Sequence, residues 1–470
     1  MLNGVYSAIS ALKAFQKKLS VSANNVANAQ TQGFKVSASS SEDIPPQTDP
    51  SASGEAQLGR GTIIGDIHEN FSQGSFEPSS SPTDLAIGGD GFFMVGTSNG
   101  EKFYTRDGHF QLDTSGRLVN ASGFVAQGWA IDPNTGQGQG SIQDIVIPTF
   151  KSPPRETTIL ENIVNLDSEA KDRSVGMNGL SNAWDGGNPN GYHIADDAYV
   201  HETSTKVYNA MGGAHDITLY FDRRGTGSEW EYIVTTHPFA DRREVAAGSD
   251  LGLLARGNLI FDANGAVSDM TMEINDGAGN WRPQNPATDL MGGHFTFQPD
   301  FLGATGGSTV MSIQLDLGST YNGSAWVNAK RTSTQYASPS NTAFSAADGY
   351  GAGDLQSISI KKDGVISGNY SNGETLNLFQ IAIARFNNPQ GLEKMGHNLY
   401  AETLASGNAV TGPPGTNGMG IIDSNTLEQS NVDMAKEIVD TILIQRGFQS
   451  NLKVIQTEDE MLGSLLDIFS

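Results

Sequence analysis

The chain has no cysteine among its 470 residues. That removes a disulfide framework, a thiolate metal site and a cysteine nucleophile together. Positive charge is scarce, with 28 Lys and Arg against 52 Asp and Glu and a formal net charge of −24. That charge argues against nucleic acid as a partner, because no basic surface is expected to attract phosphate. No stretch of about 18 apolar residues occurs, so no membrane insertion is expected. The N-terminus lacks an early basic region followed by an apolar core, since its first lysines are Lys13, Lys17 and Lys18. A cleavable signal peptide is therefore not expected.

Motifs that carry chemistry are also missing. There is no Gly-x-Ser-x-Gly elbow, no His-Glu-x-x-His and no Gly-rich loop ending in Lys-Ser/Thr. The eight histidines are scattered without ligand spacing. Asp262 to Asp269 faintly suggests a calcium loop, but its acidic spacing is wrong and a turn is the better reading. Gly88 to Gly91 precedes no helix, so it reads as a hairpin turn rather than a phosphate cradle. No catalytic residue, cofactor or metal site is expected.

What is present is glycine, 56 residues of it, in short runs that punctuate strand-like segments. The length suggests roughly three domains. The two ends differ from the rest. In residues 1–30, Val5, Leu12, Leu19 and Val26 recur every seven positions, and Leu2, Ile9, Gln16 and Ala23 form a second column. That is a heptad seam. Residues 428–470 carry a looser stripe of Val432, Ala435, Ile438, Ile442, Leu452, Ile455, Leu462, Leu465 and Phe469. Terminal helices with exposed apolar seams imply partners, namely each other and neighbouring copies of the chain. Charge agrees: residues 1–35 hold four lysines and no acid, whereas residues 428–470 hold eight acids against three bases. Opposite sign favours association, although each exposed pair contributes only about 0.5 kcal/mol.

Between the ends the chain alternates strands and turns. Residues 31–70 read as a connector whose Ser- and Pro-rich part, 36–62, is extended or mobile. Residues 71–155 and 346–427 read as one β domain, with hairpin signals at Asp107-Gly108 and Ser115-Gly116. Residues 156–345 read as an inserted β domain, with strands at 217–221, 230–234, 257–261 and 311–315 and long loops at 168–200 and 270–294. The expected class is mainly β with terminal α-helices: a discontinuous multidomain rod on a coiled-coil base, with the β domains nested in the middle.

Residues Ser22 to Lys35, including Asn24, Asn25, Asn28, Gly33, Phe34 and Lys35, resemble the N-terminal signature of the bacterial flagellar axial (rod and hook) proteins. Leu427 to Glu437, with Ser430, Asn431 and Val432, and Gln445 to Asn451 resemble the C-terminal signature of that family. Asp84 to Val95 and Tyr104 to Phe110 resemble its first β domain. Tyr208 to Phe221, Gly257 to Gly265, Gln335 to Ser340, Asp363 to Gly373, Asn388 to Leu392 and Gly396 to Glu402 extend the likeness to the hook branch, so it covers nearly the whole chain. The stretch after Lys35, from Val36 to Pro46, departs from the hook pattern, which continues with charged and aromatic residues.

The resemblance implies a structural hook subunit, not an enzyme. Such subunits self-assemble into a flexible helical tube that transmits torque from rod to filament. It implies an extracellular location in the flagellum, reached through the flagellar type III export apparatus. It also implies contacts with the hook cap, distal rod protein, hook–filament junction protein and hook-length control protein. A distal rod protein is the alternative within the family, although most of residues 156–345 would be surplus to one. A secreted adhesin is the alternative of another class, and an exposed aromatic cluster near Trp230 and Tyr232 would favour it.

Overall fold

A computed structural model describes the chain apart from residues 1, 52–53, 98, 133–134, 148–150, 189–190, 244–248, 276–279, 304–309 and 470. Side chains of residues 2–3, 48–51, 54–56, 58 and 465–469 also lie outside the description. Two compact units form. One gathers Met1–Phe150, Leu355–Tyr370 and Thr375–Ser470; the other is Lys151–Asp354 with Ser371–Glu374.

In the first unit α1 spans Leu2–Ala27 and α2 spans Met434–Phe469. Both are shorter than their apolar patterns suggest. Glu428 belongs to a strand, Thr426–Glu428, paired with Phe76–Pro78. The α2 start is set by Asp433, whose Oδ1 accepts the amides of Ala435 at 2.9 Å and Lys436 at 3.1 Å. An N-terminal cap of this kind satisfies donors the helix leaves unpaired. The helices run antiparallel, because Ser22 meets Glu437, Phe15 meets Gly447 and Gly4 meets Glu458.

Of the two forms its composition allows, extended or mobile, the connector takes the extended one. Ser37–Asp43 (β1), Gln47–Ser51 (β2), Gly54–Leu58 (β3) and Thr62–Glu69 (β4) form two nested antiparallel hairpins, β1 with β4 and β2 with β3. Serine strands give no periodic apolar signal, but a ladder needs only backbone donors and acceptors. The assembly is tied to α1 where Ser10 Oγ accepts the Thr62 amide at 3.1 Å.

The main sheet of this unit has thirteen strands. Phe92–Gly96 lies inside it, pairing with Lys102–Thr105, Val125–Ile131 and Ile383–Arg385. Phe93 and Val95 face one core with Leu85, Ile87 and Phe110, while Phe92 and Met94 face another with Tyr104, Phe386 and Tyr400. A strand covered on both faces reads as a continuous apolar run. Gly88 to Gly91 does not close a hairpin. Leu85–Gly88 pairs with Ile421–Ser424 instead, so the turn hands the chain from one sheet to another. Asp107-Gly108 likewise joins no hairpin, whereas Ser115-Gly116 closes the Phe110–Leu112/Leu118–Asn120 pair. Residues 375–385 form two strands, Thr375–Ile381 and Ile383–Arg385.

The second unit carries a six-stranded antiparallel meander: His201–Tyr208, Ala214–Arg223, Glu229–Thr236, Leu253–Phe261, Val267–Asn275 and Trp281–Pro283. A five-stranded sheet built on Ile159–Asp167 shares its core, with Leu160, Val164, Leu166 and Phe295 joining Phe221, Trp230 and Tyr232. Asp262 Oδ1 accepts the amides of Asn264 and Ala266 at 2.8 and 3.0 Å, which makes the turn of the Leu253–Phe261/Val267–Asn275 hairpin. The expectation of a loop over 270–294 fails at its start, because Met270, Met272 and Ile274 alternate inward on a strand. Residues 168–200 form no strand among those described but are packed: Leu180 and Trp184 bury themselves on Ile233 and Leu253.

Burial raises the Tyr232 phenol well above its ordinary range, and its hydroxyl donates to the Thr271 carbonyl at 2.9 Å. The folded state then holds a proton that the unfolded chain releases near pH 10, so this contribution is present below about pH 10 and lost above it. The urea midpoint of the second unit is expected to fall between about pH 9 and 11, and to fall less in Tyr232→Phe. Equal pH slopes in the two proteins would remove Tyr232 as the cause.

Candidate functional site: the junction of the chain ends

The two ends meet where α1 gives way to β1 and where the last strand gives way to α2. Beyond Ala27, Asn28 Nδ2 donates to the Asn24 carbonyl at 2.9 Å, and Thr31 Oγ1 donates to Asn28 Oδ1 at 3.1 Å. Gly33 then turns the chain at φ +67°, and its amide donates to the Glu428 carbonyl at 2.8 Å. A Cβ here would sit 2.6 Å from the Asp107 nitrogen, so both the conformation and the space demand glycine.

The turn delivers Phe34 and Lys35 into the interior. Lys35 has no exposed surface, and its Nζ lies 2.6 Å from Glu428 Oε1 while donating to the Ser72 carbonyl at 2.8 Å. The same Oε1 accepts the Gly74 amide at 2.8 Å. Arg106, 3% exposed, brings its guanidinium to 3.5 Å from the other carboxylate oxygen and lies over the Phe92 ring at 5.2 Å. Two cations therefore share one buried carboxylate. Burial lowers the Lys35 pKa, with the Glu428 charge opposing; burial lowers that of Arg106 in the same way.

Two asparagines extend the junction. Asn431 Oδ1 accepts the Val36 amide at 2.8 Å, and its Nδ2 donates to the carbonyls of Asn70 and Ser72. Asn25 brackets Ser37, accepting its amide at 3.0 Å and donating to its carbonyl at 2.9 Å. Asn25 also donates to Glu437 Oε1 at 3.0 Å, and Ser22 Oγ donates to Glu437 Oε2 at 2.5 Å. Ser430 caps locally, its Oγ accepting the Val432 amide at 3.3 Å. Sequence reading picked out Asn25, Gly33, Phe34, Lys35 and Asn431. It missed Glu428, Arg106, Ser22 and Glu437 as their partners. The available signal was an acid at 428 directly after Leu427, at the edge of an apolar strand.

The seam residues are arranged differently from a self-contained coiled coil. On α1 the buried positions are the small or polar Ala8, Ala14, Ser22 and Asn25, whereas Val5, Leu12, Leu19 and Val26 are half-buried and Ile9 is exposed. On α2, Val432 just before the helix and Ile455 are half-buried, while Ala435, Ile438, Ile442, Leu452 and Leu462 are exposed. The side chains of Leu2, Leu465 and Phe469 lie outside the described residues. The opposite net charges are not realised as ion pairs between the helices among the described residues; Glu437, one acid at the contact, is held by hydroxyl and amide donors. Among the described residues no group of three or more His, Cys, Asp or Glu could hold a metal ion, and no helix is long and apolar enough to cross a membrane.

Four family models match the chain. They are the flagella basal body rod protein over residues 5–35, the flagellar hook protein FlgE/F/G D1 domain over 86–180, the flagellar basal body protein FlaE D2 domain over 184–350, and the flagellar basal body rod FlgEFG protein C-terminal over 423–468. The chain is 31% identical over 463 residues to the flagellar hook protein FlgE of Escherichia coli, covering 98% of each chain. It is 31% identical to that of Treponema pallidum over the full length of both, and 31% identical to that of Borreliella burgdorferi over 99% of each. A crystal structure of Helicobacter pylori flagellar hook protein FlgE2 aligns over 75% of this chain and 100% of its own, at 16% identity and a TM-score of 0.47.

Removing one partner from a buried ion pair leaves an uncompensated charge and costs about 3–5 kcal/mol. Glu428→Gln, which strands two cations, is expected to destabilise the first unit by that amount, and Lys35→Met by less. The double variant should fall short of the sum by at least about 1 kcal/mol, as coupled residues do. Urea unfolding of the four proteins measures it; simple additivity would show that the pair does not act as one.

Proposed function

The chain belongs to the flagellar hook protein family, and from that premise we propose how its parts serve a hook. It is a structural subunit of the bacterial flagellar hook and works as a homopolymer within the flagellum. The observation that carries the reading beyond this is the outer face of α2. Ile438, Val439, Ile442 and Leu443 are exposed at 49%, 55%, 45% and 58% in a single chain. Covering such half-exposed side chains gains roughly 1 kcal/mol each, repeated at every subunit. Contacts that repeat head to tail without closing build a helix, which is the geometry of a tube.

In this reading the chain has four parts. Residues 1–30 with 428–470 form the inner helical wall, with α2 toward the channel. Residues 31–70 form the connector, 71–155 with 346–427 the first β domain, and 156–345 the inserted β domain. The inserted β domain presents polar, Gly-rich surfaces that slide as the tube bends. Subunits leave the cell unfolded through the flagellar type III apparatus. They meet the hook cap, the distal rod protein, the hook–filament junction protein and the hook-length control protein at the ends of the tube. An adhesin reading loses its expected feature, because Trp230 and Tyr232 are fully buried in the second unit. No catalytic role is assigned.

Gold labelling of isolated flagella with antibody to residues 170–330 is expected to mark only the short curved segment between rod and filament. Label along the rod or the long filament would overturn the assignment. Ile442→Asp is expected to raise the critical concentration for polymer by about tenfold or more, since tenfold corresponds to about 1.4 kcal/mol. The monomer's unfolding should stay unchanged; a polymer as stable as the parent's would remove the α2 face from the interface.

A further inference from the structure

Helix α2 outruns its partner. Gly4, in the first turn of α1, already lies against Glu458, yet α2 continues to Phe469. At 1.5 Å per residue the excess is about 15 Å of helix with no α1 beside it. Its described turns carry exposed Met461 and Leu462, at 52% and 40%. At 100° per residue Met461 and Leu462 form one face, with the exposed acids Asp459 and Glu460 on either side of it.

A groove of matching character lies on the far side of α1. Tyr6, Ile9, Lys13 and Lys17 of α1 line it, opposite Arg60 and Ile63 of the hairpin segment. Tyr6, Ile9 and Ile63 are exposed at 65%, 38% and 53%, and no acid lines the groove among the described residues. The chain's own α2 cannot fill it, because that helix occupies the face of α1 marked by Gly4, Phe15 and Ser22.

We propose that this groove receives the distal turns of α2, residues 459–462, from a second copy of the chain. The inference rests on the homopolymer reading and adds to it which two surfaces meet. Apolar side chains cover apolar side chains, and three cations face an acid-flanked stripe in a chain that is otherwise short of positive charge. Like-charged subunits would repel over most of their surface, so a local contact of opposite sign selects the register.

The absence of cysteine makes the test direct. Full chains carrying Ile63→Cys are mixed with full chains carrying Met461→Cys and a size tag, allowed to polymerise, and mildly oxidised. Disulfides joining the two kinds of chain are expected in polymer and not in unassembled protein. Normal polymer without such links overturns the docking while leaving the homopolymer intact. Failure of the unsubstituted chain to polymerise overturns the reading beneath it. A charge swap is the second arm: Lys13→Glu with Lys17→Glu should raise the critical concentration about tenfold. Asp459→Lys with Glu460→Lys on the partner chains should restore it; no restoration overturns the electrostatic part of the contact.

Discussion

Lys35 and Glu428 are 393 residues apart in the chain and 2.6 Å apart in the fold, and neither side chain has exposed surface. An ion pair so placed does little for net stability compared with two well-packed apolar groups. Its value is in discrimination. A buried carboxylate that accepts from Lys35 and from the Gly74 amide, with Arg106 beside it, has one arrangement in which its charge is compensated. Slippage of either chain end by one residue would bury Lys35 or Glu428 alone. The pair thereby sets the register of two segments that no local interaction could align. The Gly33 amide, the Asn431 side chain and the Asn25 bracket around Ser37 follow from that register.

The helices beyond the junction obey a related division. Within one chain, α1 meets α2 through Ser22, Asn25 and Glu437 and through the close approach of Phe15 to Gly447. Hydrogen bonds are directional, so they specify which helix pairs with which. Large apolar side chains such as Ile9, Ile438, Val439, Ile442 and Leu443, which are indifferent to direction, are left facing out. A subunit built this way can be specific as a monomer and adhesive as a polymer. The reverse arrangement would hide the apolar stripe inside each chain and leave little to bind a neighbour.

Legibility in the sequence followed the strength of periodic signals. The terminal helices and the strands around Trp230 and Leu259 could be read because burial repeats at their natural periods. The β1–β4 hairpins could not, because Ser37–Asp43 has no apolar alternation and is held by its backbone. Gly88 to Gly91 was misread because local turn chemistry reports a reversal and not which strand lies beside the next one. Val267–Asn275 was hidden among Gly- and Asn-rich neighbours, although Met270, Met272 and Ile274 have the alternation of a half-buried strand. Glu437 and Glu428 counted only as acids in a charge sum, and a sum cannot reveal that both are buried.

The same limit explains why the seam was partly misjudged. A heptad pattern says that a helix has an apolar side, and it is silent on whether the covering helix belongs to the same chain. The distinction came from lengths and small residues. Gly447 lets Phe15 approach where a larger residue would hold the helices apart, which fixes the internal contact at that pair of positions. The 36 residues of α2 against the 26 of α1 then leave helix over. An amphipathic helix end with no partner in its own chain is costly as a monomer and stable only as part of a larger assembly. The mismatch in length is therefore an element of assembly in its own right: it makes each chain incomplete at one end and leaves it a reason to bind the next.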